Sequence, residues 1–153
     1  MRLLPLLLAA LGVQQVLAAD CAREAKVATH FMNGYVQHLI DRSGDRAAPS
    51  VSGWIRESKA VTRSFKLGHQ RLEEEGRKSD PDLGWGDDLI LDAQDFPAQG
   101  FRFSACKGAG LVELRGVDWE AFVLVVKVIE LDGQHLVEGA GRVNVSVSER
   151  ARR

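Results

Sequence analysis

The sequence predicts an α+β domain in which two N-terminal helices pack on a curved antiparallel sheet of about four strands. Three observations lead to this fold class. Apolar residues recur at helical spacing in the first half of the chain, and they alternate with polar residues after Pro97. The pair Asp132-Gly133 stands between two apolar runs, which is typical of a two-residue hairpin turn. Helices followed by a meander of strands indicate a sheet with helices on one face.

The first eighteen residues have the pattern of a secretory signal peptide. Arg2 gives the positive start, residues 3–11 the apolar run, and Val16-Leu17-Ala18 the small-residue cleavage site. Export through such a signal predicts a periplasmic or secreted protein.

The signal peptide also sets the domain limits. We assign residues 1–18 to the signal peptide and residues 19–153 to a single α+β domain, whose short basic tail, residues 150–153, is expected to be solvated. A lipid anchor would need a small residue just before Cys21, and Asp20 stands there instead, so we expect no lipid.

Charge and hydropathy argue against nucleic-acid binding and against a membrane-spanning helix. The chain carries 20 Lys and Arg against 21 Asp and Glu, and this balance does not predict nucleic-acid binding. The longest apolar run of the mature part, residues 121–126, is far shorter than the roughly 20 residues of a membrane helix. We therefore predict no transmembrane segment in the mature chain.

Cys21 and Cys106 are the two cysteines, and both would enter an oxidising compartment. No Cys-x-x-Cys motif supplies redox chemistry, so we predict a structural disulfide between them.

Two helices are predicted in the first half of the chain. The first covers residues 22–41, with Asp20 placed to cap its start. The second begins near Trp54 and ends at Gly76, which occupies the place of a C-terminal cap. Gly68 lies on the apolar seam of this helix and indicates the close approach of another backbone.

Residues 79–88, rich in Asp, Gly and Pro, are predicted to form a loop. Three strands come before the hairpin turn, over residues 101–105, 111–115 and 119–131. The turn at Asp132-Gly133 then sets the register of the last hairpin. The predicted opposing pairs are Leu131 with Gln134, Glu130 with His135, Val128 with Val137, Lys127 with Glu138, and Phe122 with Val143.

This register gives the hairpin an apolar face and a mixed face. The residues predicted on the apolar face are Phe122, Leu124, Val126, Val128, Val137, Val143 and Val145. Lys127, Glu138 and Arg142 lie on the mixed face, where they would be the polar residues of any cavity.

Several stretches are similar to one family of small bacterial proteins. They are Val-Thr-Arg-Ser-Phe at residues 61–65, Asp-Pro-Asp-Leu-Gly at 80–84, and Asp-Leu-Ile-Leu-Asp-Ala-Gln-Asp-Phe-Pro at 88–97, with Gly100-Phe101 after them. On these residues the chain resembles the DUF3828 family of secreted or envelope proteins. The resemblance implies an NTF2-like or cystatin-like α+β fold. That family has no assigned function or catalytic residues, so the resemblance implies no catalytic site.

Six carboxylates between residues 80 and 95 invite a calcium site, but an EF-hand loop starting at Asp80 would need glycine where Trp85 stands. We therefore expect these side chains to form turns and cap backbone groups. Gln94 and Asp95 are expected to hydrogen-bond a buried backbone, and a ligand secondarily. The four histidines make no ligand set and are expected on helix surfaces or in solvent, so neither a metal nor a cofactor is predicted.

Two classes of function remain open. The first is a binding protein without catalysis, for example an inhibitor or immunity-type protein. Its partner would be an envelope protein or a small ligand. Its candidate binding residues are Trp85, Asp92, Gln94, Asp95 and Trp119. The alternative is an NTF2-like isomerase or hydrolase acting on a small apolar ligand in an enclosed pocket, with Glu138 as its base. A cross-strand pair with Lys127 would lower the pKa of Glu138, which favours the first class.

Overall fold

The computed structural model describes residues 6–45 and 47–151, with side chains from residue 19 onward. In chain order the elements are α1 (Leu6–Gly44), α2 (Val51–Glu57), α3 (Arg63–Ser79), β1 (Phe101–Gly108), β2 (Leu111–Gly116), β3 (Val123–Leu131) and β4 (Gln134–Ala140). The strands form one antiparallel meander in the order β1-β2-β3-β4, which is open. The α+β class is confirmed, with three helices and not two.

Helix α1 packs across the sheet and contacts all four strands. Its buried side chains recur at helical spacing and form one face, consisting of Ala25, Ala28, Phe31, Met32, Tyr35 and Val36. Asp20 lies inside α1 and is not its N-terminal cap, because the helical backbone begins at Leu6. Residues 1–5 of the predicted signal peptide lie outside the described residues, and the signal peptide stays a prediction. Among the residues described, no helix has both the length and the apolar character needed to cross a membrane.

The predicted second helix is broken into α2 and α3 at residues 58–62. Ser58 is extended, and the Thr62 hydroxyl caps α3 by accepting from the Phe65 amide at 3.0 Å. Between these caps the chain pairs with the free edge of β4: the Val137 amide donates to the Ala60 carbonyl at 2.9 Å. Satisfying this sheet edge outweighs helix propensity in the segment, and the prediction of one helix was wrong for that reason.

Two glycines of α3 serve contacts within the fold. Helix α3 continues past Gly76 to Ser79, so Gly76 is not its cap. A Cβ at Gly76 would lie 2.6 Å from the Trp85 ring, which explains the glycine. Gly68 does mark a close approach, but the neighbour is the side chain of Asn144 and not a backbone.

The Asp132-Gly133 turn is confirmed, since both residues have positive φ, 52° and 76°, as a type I′ turn requires. The pairs Leu131 with Gln134, Glu130 with His135, and Val128 with Val137 are also confirmed. A register shift after Val128 then places Lys127 opposite Gly139. The predicted Lys127–Glu138 pair was therefore wrong, because the bulge takes Glu138 out of the ladder.

The hairpin is shorter than predicted at its open end. β3 begins at Val123, because residues 119–122 form a turn in which the Phe122 amide donates to the Trp119 carbonyl at 2.9 Å. β4 ends at Ala140, so Phe122 and Val143 are not a ladder pair. All seven residues predicted on the apolar face are nevertheless buried.

The disulfide between Cys21 and Cys106 is confirmed, with the two Cα atoms 6.0 Å apart. It joins α1 to β1. At the other end of the chain, Arg150 is not part of a solvated tail: it is half-buried, and its Nε donates to the Val145 carbonyl at 3.0 Å. Residues 152–153 of the predicted tail lie outside the described residues.

Candidate functional site

The longest connection in the described domain runs from α3 to β1, over residues 80–100, and contains neither helix nor strand. Connections of this length inside a compact domain are commonly functional. The side chains that hold it in place also shape the two depressions beside it. We therefore build the candidate site from this connection.

Trp85 fixes the first part of the connection against α3. Its indole Nε1 donates to the Leu72 carbonyl at 2.7 Å, and its ring lies on Gly76, where a side chain would collide. The guanidinium carbon of Arg142 lies 5.5 Å from the ring centroid, in a cation–π arrangement. Trp85 still keeps 44% of its surface exposed, so it is both a structural anchor and an accessible apolar group.

Asp88 fixes the middle of the connection. One carboxylate oxygen accepts from the Ile90 and Leu91 amides at 2.9 and 2.8 Å, which makes a local turn. The other accepts from the Tyr35 hydroxyl of α1 at 2.5 Å. Burial and the neighbouring Asp88 carboxylate raise the pKa of Tyr35 well above its ordinary value, so this hydroxyl stays protonated and remains a donor.

Arg142, just after β4, fixes the last part. Its Nη2 donates to Asp87, and its Nε donates to Asp92 at 2.5 Å. Its amide donates to the Leu89 carbonyl at 2.8 Å. Asp92 has a φ of 53°, a left-handed conformation that aspartate tolerates better than most residues. One side chain from the sheet thus holds two carboxylates of the connection.

A cleft of about 320 Å³, which we call the Trp85 cleft, lies between α3 and residues 81–89. The polar side chains lining it are His69, Glu73, Arg77, Asp82, Asp87 and Asp88, and its apolar wall includes Val51, Leu83, Trp85 and Leu89. Glu73 accepts from the Ser52 hydroxyl of α2 at 2.6 Å through Oε1. The other oxygen, Oε2, lies 3.7 Å from His69 Nδ1. Burial lowers the pKa of His69, although Glu73 and Asp88 oppose that shift.

A second depression of about 470 Å³, which we call the Trp119 groove, lies beside residues 93–95 of the connection. It is lined by Ala93, Gln94, Asp95, Trp119, Ala121 and Phe122. Trp119 packs edge-on against Phe122, with ring centroids 5.1 Å apart, and keeps 46% of its surface exposed. Its indole therefore remains accessible in the groove.

The structure brings together three of the five predicted binding residues. Gln94, Asp95 and Trp119 share the Trp119 groove, whereas Trp85 faces the Trp85 cleft and Asp92 is held by Arg142. We expected Gln94 and Asp95 to hydrogen-bond a buried backbone. This was wrong, because both residues are exposed. Gln94 makes one long bond, from Nε2 to the Gly86 carbonyl at 3.4 Å.

Two of the six acidic side chains of residues 80–95, Asp80 and Asp88, form turns as predicted, whereas Asp87 and Asp92 pair with Arg142. Besides Asp88, Asp80 accepts from the Asp82 and Leu83 amides, each at 3.0 Å. Within residues 6–45 and 47–151, no group of three His, Cys, Asp or Glu side chains is arranged to hold a metal ion.

Sequence reasoning missed the buried histidines. His38 and His69 were expected on a helix surface or in solvent, and both are buried. A signal was present: His69 follows Phe65 by four residues, and His38 follows Tyr35 by three, so each repeats the spacing of its buried face. Burial puts His38 against Trp54, with ring centroids 5.4 Å apart. Nothing local marks Arg142, because its partners are 50 and 55 residues away.

Comparisons with known proteins give no relative for this chain: no family model, no curated protein and no solved structure matches it.

Proposed function

We propose that the protein is a secreted or periplasmic binding protein without chemistry of its own, and that it docks a basic partner through residues 71–95, the acidic segment. These residues hold nine Asp and Glu against three Lys and Arg, whereas the whole chain is almost balanced. A surface with one sign of charge attracts partners of the opposite sign and speeds their association. This concentration of negative charge is the observation that carries the proposal.

Exposed apolar side chains lie within this negative surface. Leu83 is 75% exposed and stands with Trp85 at the Trp85 cleft, and Trp119 stands with Asp95 at the Trp119 groove. Binding energy at protein interfaces is concentrated in aromatic anchors, while charges at the rim steer the approach. Exposed apolar side chains and acidic side chains therefore occur together at both depressions.

The partner in this proposal is another envelope protein, and an inhibitor or immunity-type role is one way in which such binding would act. The disulfide between Cys21 and Cys106 supports an oxidising compartment. Membership of the DUF3828 family, which we also keep as a proposal, would agree with an envelope location. We keep the NTF2-like or cystatin-like assignment of the fold as part of the proposal, because a helix packed across a four-stranded antiparallel meander is compatible with it.

The alternative proposal, an NTF2-like isomerase or hydrolase, has less support from the geometry. Glu138, its candidate base, accepts from the Thr62 hydroxyl at 2.5 Å and so helps to hold α3 against β4. The predicted pair with Lys127, which would have favoured the binding class, is absent because Lys127 lies opposite Gly139, so the argument against the enzyme rests on the Thr62 contact. An assay that found turnover lost on Glu138→Gln, with folding unchanged, would favour the enzyme.

Binding of hexa-arginine, measured by fluorescence of the exposed tryptophans or by calorimetry, tests the proposal. The double variant Asp82→Lys, Asp95→Lys should weaken binding about tenfold or more, because it places like charges against the peptide. Both side chains are exposed, so folding should be unaffected. The matched control is Glu57→Lys, Glu130→Lys, which makes the same charge change on exposed residues outside the acidic segment.

Equal weakening by the two double variants would mean that only net charge matters, and it would overturn the proposal. So would an affinity that does not fall when the salt concentration is raised from roughly 50 mM to roughly 300 mM, since exposed charge pairs are screened by salt.

A further inference from the structure

His69 is a buried polar side chain that faces the Trp85 cleft without a hydrogen bond to any described residue. Only 4% of the side chain is exposed, and it is one of the cleft's lining residues. Its nearest charged neighbour is Glu73, whose Oε2 lies 3.7 Å from Nδ1, which is beyond hydrogen-bonding distance. The ring nitrogens of His69 are not among the fully buried polar atoms without a partner, so they reach the cleft and can bond to a ligand there.

One carboxylate oxygen beside His69 also has capacity left to accept. On Glu73, Oε1 accepts from the Ser52 hydroxyl, and no described residue donates to Oε2. Asp87 Oδ1 has no hydrogen-bond partner among the described residues either, but it is fully buried and does not face a ligand in the cleft, while Oδ2 of the same group accepts from Arg142. The cleft thus offers two neighbouring acceptors from α3, on Glu73 and His69.

A ligand that fits these acceptors must be positively charged and must carry several N–H donors. A guanidinium group meets both conditions, because it has five donors in a fixed planar arrangement and pairs well with carboxylates. An ammonium group is a smaller point charge without this planar fork, so it pairs less specifically with two neighbouring acceptors. The basic side chain that already lines the cleft, Arg77, is exposed, and Arg142 is engaged by Asp87 and Asp92.

We propose that the Trp85 cleft binds the guanidinium of an arginine side chain, with His69 and Glu73 accepting its N–H groups. This inference rests on the proposed function, since the arginine would belong to the basic partner. Burial lowers the pKa of His69, so at neutral pH the imidazole is uncharged and one ring nitrogen can accept. Trp85 and Leu83 would then flank the aliphatic part of the arginine at the cleft wall.

N-acetyl-L-arginine amide is the probe, and the imidazole signals of His69 in NMR spectra are the readout. The probe should shift these signals, whereas N-acetyl-L-citrulline amide, which has the same shape without the charge, should shift them at least about tenfold more weakly. Glu73→Gln should reduce the affinity for the arginine probe by a similar factor. The control is Glu75→Gln, an exposed carboxylate on the same helix, which should change the affinity by less than about twofold.

Equal binding of the arginine and citrulline probes to the unaltered protein would overturn the inference, and that comparison needs no variant to fold. Wild-type affinity in Glu73→Gln would also overturn it. If hexa-arginine binds the acidic segment but His69 does not respond to either peptide or probe, the proposed function stands and the arginine site fails. If hexa-arginine does not bind, both fail.

Discussion

The hairpin turns and the connection between α3 and β1 hold their conformations by different means. Asp132 and Gly133, like Ala109 and Gly110 in the turn before β2, have left-handed backbone angles that close a turn locally. The connection also contains left-handed residues, Asp92 among them, and local turns closed by Asp80 and Asp88. In addition it is held by side chains from distant elements: Tyr35 of α1 bonds to Asp88, 53 residues away, and Arg142 bonds to Asp87 and Asp92.

This difference indicates where the molecule can change without losing its fold. The strands share a continuous apolar core with α1, so a defect there affects the whole domain. The connection contributes Leu89, Ile90 and Leu91 to that core, and polar contacts that lie partly in solvent position the rest of it. Its exposed side chains, such as Asp82, Leu83 and Asp95, take no part in the core, so a binding surface made of them can vary while the sheet stays intact.

The largest expected effect is in the sheet. Val126 is fully buried on β3, and Val126→Asp should prevent folding, because an unpaired carboxylate in the core costs several kcal/mol against a typical total of about 5 to 15. Circular dichroism and urea melts would check this. Lys127→Gln, one residue further on the opposite face, is the control and should cost at most about 1 kcal/mol. A larger loss for the lysine change would contradict the assignment of faces.

Loss of the disulfide should have the next largest effect. The bond closes a loop across 85 positions, for which chain entropy gives at most about 4 to 5 kcal/mol. We expect Cys21→Ala, Cys106→Ala to lower the free energy of unfolding by about 3 kcal/mol while the fold remains. Urea melts of the oxidised protein and the variant give the difference. A loss below about 1 kcal/mol would mean that the bond contributes little to stability.

Replacing Arg142 should have a moderate and local effect. Arg142→Met removes the ion pairs with Asp87 and Asp92, and because the arginine side chain is one-quarter exposed we expect the free energy of unfolding to fall by about 1 to 3 kcal/mol. The control is Arg102→Met, whose pair with Glu120 is mostly exposed and should contribute less than about 1 kcal/mol. Equal losses in urea melts would contradict a special role for Arg142.

The smallest expected effect is on pH dependence. Burial lowers the pKa of His38 and His69 below the ordinary value of 6.5, and Arg42 lowers that of His38 further. The unfolded chain therefore takes up protons before the folded one as the pH falls below about 6.5, so stability falls with pH, by up to about 1.4 kcal/mol per unit and per histidine. His38→Phe should reduce this slope in urea melts at about pH 5 and pH 7, and exposed His30→Gln should not. An unchanged slope in His38→Phe would contradict the burial of that imidazole.

Sequence predicts the parts of this fold that are encoded locally. The hairpin turn at Asp132-Gly133, the buried face of β3 and the disulfide were all predictable, because turn residues, alternation and cysteine count carry that information. The break between α2 and α3 was not. The break depends on the pairing of residues 60–62 with Val137, which is distant in sequence, and no local sequence pattern predicts that pairing.

The site was less predictable than the fold for the same reason. Trp85, in the predicted loop, and Trp119, at the start of a predicted strand, were identified as candidate binding residues. The cleft beside Trp85, however, needs His69 and Glu73 from α3 to meet Asp87 from the connection. Helical spacing could have predicted that His69 is buried. It could not have predicted what His69 faces, because that depends on how the connection folds back over α3.

Hydrogen exchange of the oxidised protein, with and without hexa-arginine, tests the central claim most directly, since it reports on the acidic segment and the sheet in one measurement. The account predicts that the peptide slows exchange at amides of residues 82–94, including those of Ile90 and Leu91 that bond to Asp88, and leaves the amides of β1 to β4 unchanged. Slowed exchange confined to the strands, or no change anywhere, would contradict the claim that the connection carries the binding surface.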